Sequence, residues 1–248
     1  MHNVLRNAVA SVAVAAGLFA AHANATVVIG GTRIVYPADE KEVTVKLTNE
    51  ATIPSLVQVW LDDGDEKSTP DSAKVPFTVA PPIFRMDGGK GQAVRLVYTG
   101  EPLPTDKESL FWVNVLEVPP KADNKDGRNR LQFAFRTRIK LFFRPAKLAG
   151  DVDQAADKLS WKLMPAEAGK DLALQVSNPT PYYVNFARVG IGANGKTIDG
   201  DGGMVAPGQT ATLPLKSGAH APSGEIKADF TVITDYGSLV QKQAPLAR

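Results

Sequence analysis

The sequence predicts an all-β protein that is built from two antiparallel β-sandwiches in series. Short runs of alternating apolar and polar residues, separated by turn residues, recur through both halves of the chain. No segment has the periodicity of a convincing amphipathic helix. One unusually long alternating run, residues 129–145, ends the first half. Regularly spaced short strands without helices are typical of a sandwich.

Six strands are predicted before the long run, at residues 33–36, 42–47, 56–61, 77–79, 93–98 and 110–118. Turn-forming groups such as Asp62-Asp63-Gly64 and Pro81-Pro82 separate them. A polar loop, residues 119–128, leads from the last of them into the long run. We therefore expect residues 113–116 and the long strand to pair as a hairpin.

The long strand has two different faces. Its apolar positions alternate with a cationic row that contains five Lys or Arg residues and no acid. The apolar set is Leu131, Phe133, Phe135, Ile139, Leu141 and Phe143, and the polar set is Arg130, Gln132, Arg136, Arg138, Lys140 and Arg144. Such a strand either closes its own core at a sheet edge or offers its backbone and apolar row to another chain. By default the apolar row is core and the cations face solvent.

The second half repeats the β pattern without repeating the sequence. Strands are predicted at residues 159–163, 172–177, 182–191, 209–214 and 228–234. Residues 146–150 form a hinge after Arg144-Pro145. The predicted domains are therefore residues 26–145 and residues 151–248.

Residues 1–25 have the features of a secretory signal peptide. Arg6 provides the positive charge, residues 8–21 are mostly apolar, and Ala23-Asn24-Ala25 is a small-residue cleavage signal. The apolar run is shorter than the roughly 18–20 residues that a membrane-spanning helix needs. We expect an exported, soluble chain that begins at Thr26 and is not inserted in a membrane.

The composition restricts the chemistry that the chain can perform. It contains no cysteine, and after removal of the signal peptide its one histidine is His220, in a predicted loop. This excludes a His/Cys metal site and a cysteine nucleophile, and it gives catalysis little support. The acidic turn Asp199-Gly200-Asp201-Gly202 lacks the ligand spacing of a calcium loop. The net charge of +2 is small, and the local cation row suits one anionic group better than a nucleic acid.

Several motifs together resemble the periplasmic pilus chaperones of the chaperone–usher pathway, in particular those of the short-loop branch. They occur in family order through nearly the whole mature chain: Thr32-Arg33-Ile34-Val35-Tyr36-Pro37, Pro81-Pro82-Ile83-Phe84-Arg85, Glu108-Ser109-Leu110-Phe111-Trp112-Val113-Asn114, Arg138-Ile139-Lys140-Leu141-Phe142-Phe143-Arg144-Pro145 and Asn178-Pro179-Thr180-Pro181-Tyr182-Tyr183. The resemblance implies two immunoglobulin-like domains in an L-shaped arrangement. It also implies a non-enzymatic assembly chaperone, located in the periplasm, that needs no nucleotide or metal.

The resemblance assigns roles to particular residues. Arg33 and Lys140 would bind the C-terminal carboxylate of a newly exported pilus subunit. The long strand would complete the unfinished sandwich of that subunit, with Leu131, Phe133 and Phe135 as anchors. Two of these anchors are phenylalanines where the family usually has aliphatic residues. Glu108, Arg144 and Asp235 would form interdomain ion pairs, and Pro54, Leu56 and Gln58 would face the outer-membrane usher.

Two other functions are compatible with the sequence. One is a pilus or adhesin structural protein, although such proteins usually carry a disulfide. The other is a tandem-sandwich glycan-binding module with a groove lined by Trp60, Trp112 or Trp161. We expect all three tryptophans to pack in cores instead. Besides pilus subunits and the usher, a second copy of the chain is a candidate partner that would cover the donor strand of the free form.

Overall fold

The computed structural model describes residues 26–121, 131–165, 172–194, 196–216 and 224–247. This part of the chain is almost entirely β-structure and contains two separate hydrophobic cores. The predicted all-β class with two sandwiches is therefore confirmed. The predicted signal peptide, residues 1–25, and His220 lie outside the described residues.

The described part of the first sandwich has nine strands: β1 (Val27–Ile29), β2 (Arg33–Pro37), β3 (Val43–Asn49), β4 (Ser55–Asp62), β5 (Phe77–Ala80), β6 (Ile83–Met86), β7 (Gly91–Tyr98), β8 (Ser109–Val118) and β9 (Phe135–Arg144). One sheet has the order β1-β3-β7-β5 and the other β2-β9-β8-β4-β6. Strand β2 is parallel to β9, and β9 is antiparallel to β8, as the hairpin prediction requires. The peptide bond between Ala80 and Pro81 is cis.

The second sandwich follows a short 3-10 helix (Val152–Lys158), which the sequence patterns did not predict. Its strands are β10 (Ser160–Pro165), β11 (Leu172–Ser177), β12 (Val184–Ala193), β13 (Lys196–Gly200), β14 (Gly203–Val205), β15 (Thr210–Pro214), β16 (Lys227–Ile233) and β17 (Leu239–Pro245). One sheet has the order β10-β11-β15; in the other, β13-β12-β16-β17, β14 also pairs with β12. The rings of Trp161, Phe186 and Phe230 contact one another in this core.

Strand β9 begins later than its alternation predicts. Residues 131–134 belong to no strand, although their apolar and polar positions continue the pattern. Glu117 pairs with Phe135, so the same register would place Pro119 and Pro120 opposite Phe133 and Gln132. Proline has no N–H group and cannot donate a ladder hydrogen bond. The side chain of Gln132 instead donates to the Pro119 and Pro120 carbonyls, at 2.8 and 2.5 Å.

The expectation that all three tryptophans pack in cores is confirmed for Trp161 and wrong for Trp112, whereas Trp60 is buried but belongs to neither of the two core clusters. Trp161 is in the second core, but Trp60 and Trp112 lie on the outer face of the β9-β8-β4 sheet. Each is covered by a guanidinium group: Arg136 lies 4.8 Å from the Trp60 ring centroid, and Arg138 lies 4.3 Å from that of Trp112. Cation–π contact lets an aromatic ring on this face be covered without a second layer of apolar residues.

Candidate functional site

Arg33 and Lys140 are direct neighbours in the structure. The parallel pairing of β2 with β9 places them opposite each other. Both reach the second sandwich: Nη1 of Arg33 donates to the Ile233 carbonyl at 3.2 Å, and Nζ of Lys140 donates to Oδ1 of Asn185 at 2.6 Å. Ile233 is on β16 and Asn185 on β12. The two cations therefore lie where the edge of the first sandwich meets the second.

The electrostatics of this cation pair are unfavourable. Burial, and secondarily the charge of Arg33, lowers the pKa of Lys140 from 10.5 to about 8. Burial also lowers the pKa of Arg33, against a smaller raising effect from Asp235. Among the described residues neither cation has a carboxylate within 4.0 Å, and Nε of Arg33 is buried without a hydrogen-bond partner. Such a pair would be stabilised by an anion that enters between the two side chains.

Arg144, four residues further along β9, has the opposite environment. Its Nε lies 2.6 Å from Oε1 of Glu108, and its Nη1 lies 2.6 Å from Oδ2 of Asp235. Burial lowers the pKa of Arg144, but the hydrogen bonds and charges of these two carboxylates outweigh burial and raise it. Glu108 also accepts a hydrogen bond from the Tyr183 N–H at 2.7 Å. Glu108, Arg144 and Asp235 thus form one network that joins the two sandwiches.

Of the remaining described cations of β9, Arg138 is contrary to the default expectation that strand cations face solvent, whereas Arg136 is exposed. Arg138 forms an ion pair with the buried carboxylate of Asp62, and Arg136 lies 3.7 Å from the same carboxylate. Asp62 has a lowered pKa because hydrogen bonds, chiefly from Arg138 and Asn114, outweigh the effect of burial. On this strand, Lys140 is therefore the described cation that has no carboxylate partner. Its ammonium lies 5.6 Å from the centroid of Trp112, on whose ring Arg138 also stacks.

The apolar row of β9 is divided between two environments. Ile139, Leu141 and Phe143 are buried in the first core. By contrast, Leu131 is 88% exposed and Phe133 is 60% exposed, while Phe135 is half-buried. Residues 131–135 are called the donor segment below. Residues 135–139 pair with β8 along one edge, and no described strand pairs with their other edge.

Pro54, Leu56 and Gln58 lie elsewhere on the first sandwich, on or next to β4. Leu56 is 45% exposed and pairs with Arg85 on one side and Val118 on the other. Pro54, Leu56 and Val118 line a shallow groove with Pro119 and Pro120. This set is not brought together with Arg33 and Lys140, because β8 lies between β4 and the β2–β9 pair that carries the two cations.

Two buried polar residues were not identified from the sequence, one at this site and one elsewhere in the first sandwich. Asn185, which holds the Lys140 ammonium, follows the Asn178-Pro179-Thr180-Pro181-Tyr182-Tyr183 motif by two residues. The other is Glu117, a buried carboxylate on β8. In the sequence both look like ordinary strand residues, so only their packing distinguishes them.

Within the described ranges, no group of three or more His, Cys, Asp or Glu side chains could hold a metal ion. Asp199, from the acidic turn considered as a calcium loop, forms an ion pair with Arg188. A search of the same residues finds no helix with the length and apolar character to cross a membrane.

Comparison with known proteins assigns the chain to a family. Residues 26–149 match the family described as pili and flagellar-assembly chaperone, PapD N-terminal domain, and residues 154–244 match the pili assembly chaperone PapD, C-terminal domain. The chain belongs to the PapD family of pilus assembly chaperones. The expected resemblance is thereby confirmed, and the chaperone function is favoured over the structural and glycan-binding alternatives.

The chain is similar to named members of this family over most of its length. It is 44% identical to the probable fimbrial chaperone YadV of Escherichia coli K12, over 92% of this chain and 93% of the relative. It is 42% identical to the chaperone protein FimB/FhaD of Bordetella pertussis, over 91% of this chain and 90% of the relative. It also matches a chain in the solved structure of the Salmonella enterica SafA pilin in complex with the SafB chaperone. That match has a TM-score of 0.73 and 32% identity, and covers 91% of this chain and 99% of the other.

Proposed function

We propose that this chaperone captures newly exported pilus subunits in the periplasm by binding their C-terminal carboxylate between Arg33 and Lys140. The observation that carries the proposal is the pair of half-buried cations without a carboxylate partner among the described residues. An anion that entered this site would remove the repulsion between the cations and satisfy the buried Nε of Arg33. The guanidinium of Arg144 is already paired with Glu108 and Asp235, so the neighbouring network has no cation left to bind an anion.

The carboxylate site sets the register of strand pairing. A chain terminus is the one carboxylate that every pilus subunit has at a fixed place in its sequence. The donor segment precedes Lys140 in the same strand direction. At the rise per residue of an extended chain, Phe135 lies about 16 Å from Lys140 and Leu131 about 30 Å from it. A slip of one residue would turn every anchor away from the groove of its partner. Anchoring the terminus therefore aligns Leu131, Phe133 and Phe135 with fixed positions of the bound protein.

The donor segment provides the apolar surface for this pairing. Leu131 and Phe133 are exposed, and the adjoining residues of β9 have a free backbone edge among the described strands. Each anchor contributes about 1.5–3 kcal/mol when it is fully buried, before the cost of ordering is subtracted. The two phenylalanines imply larger pockets in the bound pilus subunit than aliphatic anchors would need.

The groove around Pro54 and Leu56 is the proposed contact for the outer-membrane usher. Its exposed apolar residues support a protein contact, and Ile53 and Ile83, also exposed, extend the surface. One strand, β8, lies between β4, which carries Leu56, and β9, which carries Lys140. The groove therefore lies on the same sheet as the carboxylate site, and its Pro119 and Pro120 lie beside the donor segment.

Co-expression with an exported pilus subunit, followed by pull-down, tests the carboxylate site. Lys140→Glu should reduce recovery of the bound protein by at least about 30-fold, because losing a partner of a buried charge pair typically costs about 2–5 kcal/mol. Lys46→Glu makes the same charge change at an exposed position on β3 and should leave recovery unchanged. Equal recovery with wild type and Lys140→Glu would contradict the proposal.

A further inference from the structure

Glu117 is a buried carboxylate whose partners come largely from the start of the mature chain. Its Oε2 accepts hydrogen bonds from the backbone N–H groups of Thr26 and Val27, at 2.9 and 3.0 Å. Its Oε1 accepts from the hydroxyl groups of Thr26 and Ser55. Residue Glu117 is 4% exposed. Both carboxylate oxygens are therefore engaged, mainly by Thr26 and Val27.

The carboxylate carries its charge without a described cation beside it. Burial raises the pKa of Glu117, but the four hydrogen bonds together lower it below 4.5, so it is ionised at neutral pH. Among the described residues no Lys or Arg forms an ion pair with it. The charged side chains on the surrounding strands are engaged elsewhere or exposed: Arg85 pairs with Asp87, Arg136 contacts Asp62, and Glu50 and Lys90 are exposed. A buried charge in such a place usually has a counter-charge.

The predicted cleavage site would supply that counter-charge. The Ala23-Asn24-Ala25 signal predicts that a signal peptidase cuts before Thr26, whose nitrogen is already in contact with Glu117. Hydrolysis adds water across the Ala25–Thr26 amide: the hydroxyl group goes to the Ala25 carbonyl carbon, and the hydrogen goes to the Thr26 nitrogen. That nitrogen becomes an amine and takes one further proton from solvent. We propose that Glu117 is the binding site for the α-ammonium group of the mature N-terminus.

This N-terminal ion pair would join the two sheets of the first sandwich. Thr26 precedes β1 in one sheet, and Glu117 is on β8 in the other. Glu117 also pairs with Phe135, at the point where β9 continues into the donor segment. Removal of the signal peptide therefore converts a neutral N–H contact into an ion pair at the end of the sandwich from which the donor segment leaves. The ion pair does not depend on the capture of a pilus protein.

The pH range of the contribution follows from its two groups. An α-amino group has an ordinary pKa of about 7.7–8.0, and contact with Glu117 raises it in the folded chain. This part of the stabilisation is present below about pH 7.7 and is lost as pH rises through the folded pKa. The lowered pKa of Glu117 gives a stabilisation that is present above pH 4.5 and is lost as pH falls through the folded value.

Thermal unfolding of the mature protein with two different N-termini tests the proposal. One form begins at Thr26, and the other carries Gly-Ser before Thr26, so that Thr26 keeps a neutral amide. At pH 7 the extension should lower Tm by about 3–6 °C in the wild-type sequence and by less than about 1 °C in Glu117→Gln. Glu50→Gln is the control: Glu50 contacts the Thr26 carbonyl through its backbone N–H, and its side-chain carboxylate is exposed. In this variant the extension should lower Tm as much as in the wild-type sequence.

NMR titration of the mature wild-type protein gives a second measurement that does not depend on folding of a variant. The pKa of the Thr26 α-amino group should lie above the ordinary range of about 7.7–8.0. Equal Tm values for the two N-termini together with an ordinary α-amino pKa would overturn the proposal. Mass spectrometry of the exported protein that found any first residue other than Thr26 would overturn it as well.

Discussion

At Lys140 we expect the stability of the free protein and the proposed binding of a carboxylate to be opposed. Burial and the nearby charge of Arg33 disfavour its ammonium in the free protein. Lys140→Met should therefore raise the Tm of the free chaperone by about 2–4 °C at pH 7, after allowance for solvent screening of this partly exposed group. The same variant should lose binding of pilus subunits. A Tm equal to or below that of the wild type would show that the ammonium is compensated in the free state.

Binding of the carboxylate should depend on pH through the same side chain. Since the pKa of Lys140 in the free protein is about 8, the ammonium is present below that pH and is lost above it. A bound carboxylate raises this pKa, so affinity for a peptide that ends in the C-terminal sequence of a pilus protein should fall up to about tenfold per pH unit above pH 8. Calorimetric titration between about pH 6.5 and 9.5 measures the slope, and Lys140→Arg should remove it. Constant wild-type affinity over this range would contradict the assignment.

Trp112 should raise the pKa of Lys140 through its cation–π contact, whereas Trp60 should have no effect on this pKa. Both rings lie on the outer face under a guanidinium, but of the two only Trp112 is in described contact with Lys140. Trp112→Leu removes a cation–π contact, so it should lower the pKa of Lys140 further and weaken peptide binding at pH 8 by about 3- to 10-fold. Trp60→Leu is the matched control and should change neither quantity. NMR titration of the Lys140 side chain that gave the same pKa in both variants would exclude this effect of Trp112.

At the scale of the strand, we expect the apolar row of β9 and the donor segment to have two separate tasks, core packing and partner binding. Ile139 is 8% exposed in the first core, whereas Phe133 is 60% exposed. Ile139→Ala should lower the free energy of unfolding by about 2–4 kcal/mol. Phe133→Ala should leave Tm within about 1 °C of the wild type and weaken binding of a pilus subunit by about 10- to 100-fold. Denaturant unfolding and pull-down separate the two effects, and a large loss of stability in Phe133→Ala would place this ring in the core of its own sandwich.

The alternation of β9 was readable from the sequence because a strand with one buried face has a period of two. The first residue of β9 could not be predicted in this way. The apolar–polar pattern continues through residues 131–134, but the hydrogen-bonded pairing with β8 stops before Pro119 and Pro120. The short strands β1, β6 and β14 are too brief for a periodic signal. Strand β17 was missed because it is an edge strand whose residues are exposed or half-buried.

The site was predictable to a similar extent. Arg33 and Lys140 stood out through motif resemblance, and parallel pairing explains why residues so far apart in sequence meet. The default that strand cations face solvent failed at Arg138, because its carboxylate partner, Asp62, lies two strands away. Such a contact depends on strand order, which local sequence patterns do not specify.

At the scale of the whole molecule, the two sandwiches are joined by the Arg144 network. Glu108 is buried. It accepts hydrogen bonds from Arg144 of its own sandwich and from the Tyr183 N–H of the other sandwich. Arg144→Met would leave this carboxylate buried without its cation, which should cost about 3–5 kcal/mol at pH 7. Asp235→Asn changes a more exposed partner and should cost about 1 kcal/mol or less.

The cost in Arg144→Met should shrink as the pH falls. Burial already raises the pKa of Glu108, and loss of Arg144 raises it further, so the carboxyl takes up a proton at mildly acidic pH. Urea unfolding at pH 7 and pH 5 measures both variants. If Arg144→Met lost as much stability at pH 5 as at pH 7, the buried charge of Glu108 would not be the cause of the loss.

Amide hydrogen exchange of the donor segment tests the central claim most directly. In the free chaperone, the amides of residues 131–134 lie outside any strand and should exchange rapidly. When a pilus subunit is bound, the amides of residues 131–139 that face the free edge should become protected, because they would pair with the bound protein. Rapid exchange at residues 131–134 in a stable complex of the chaperone with its pilus subunit would contradict the claim that this strand completes the partner's sandwich.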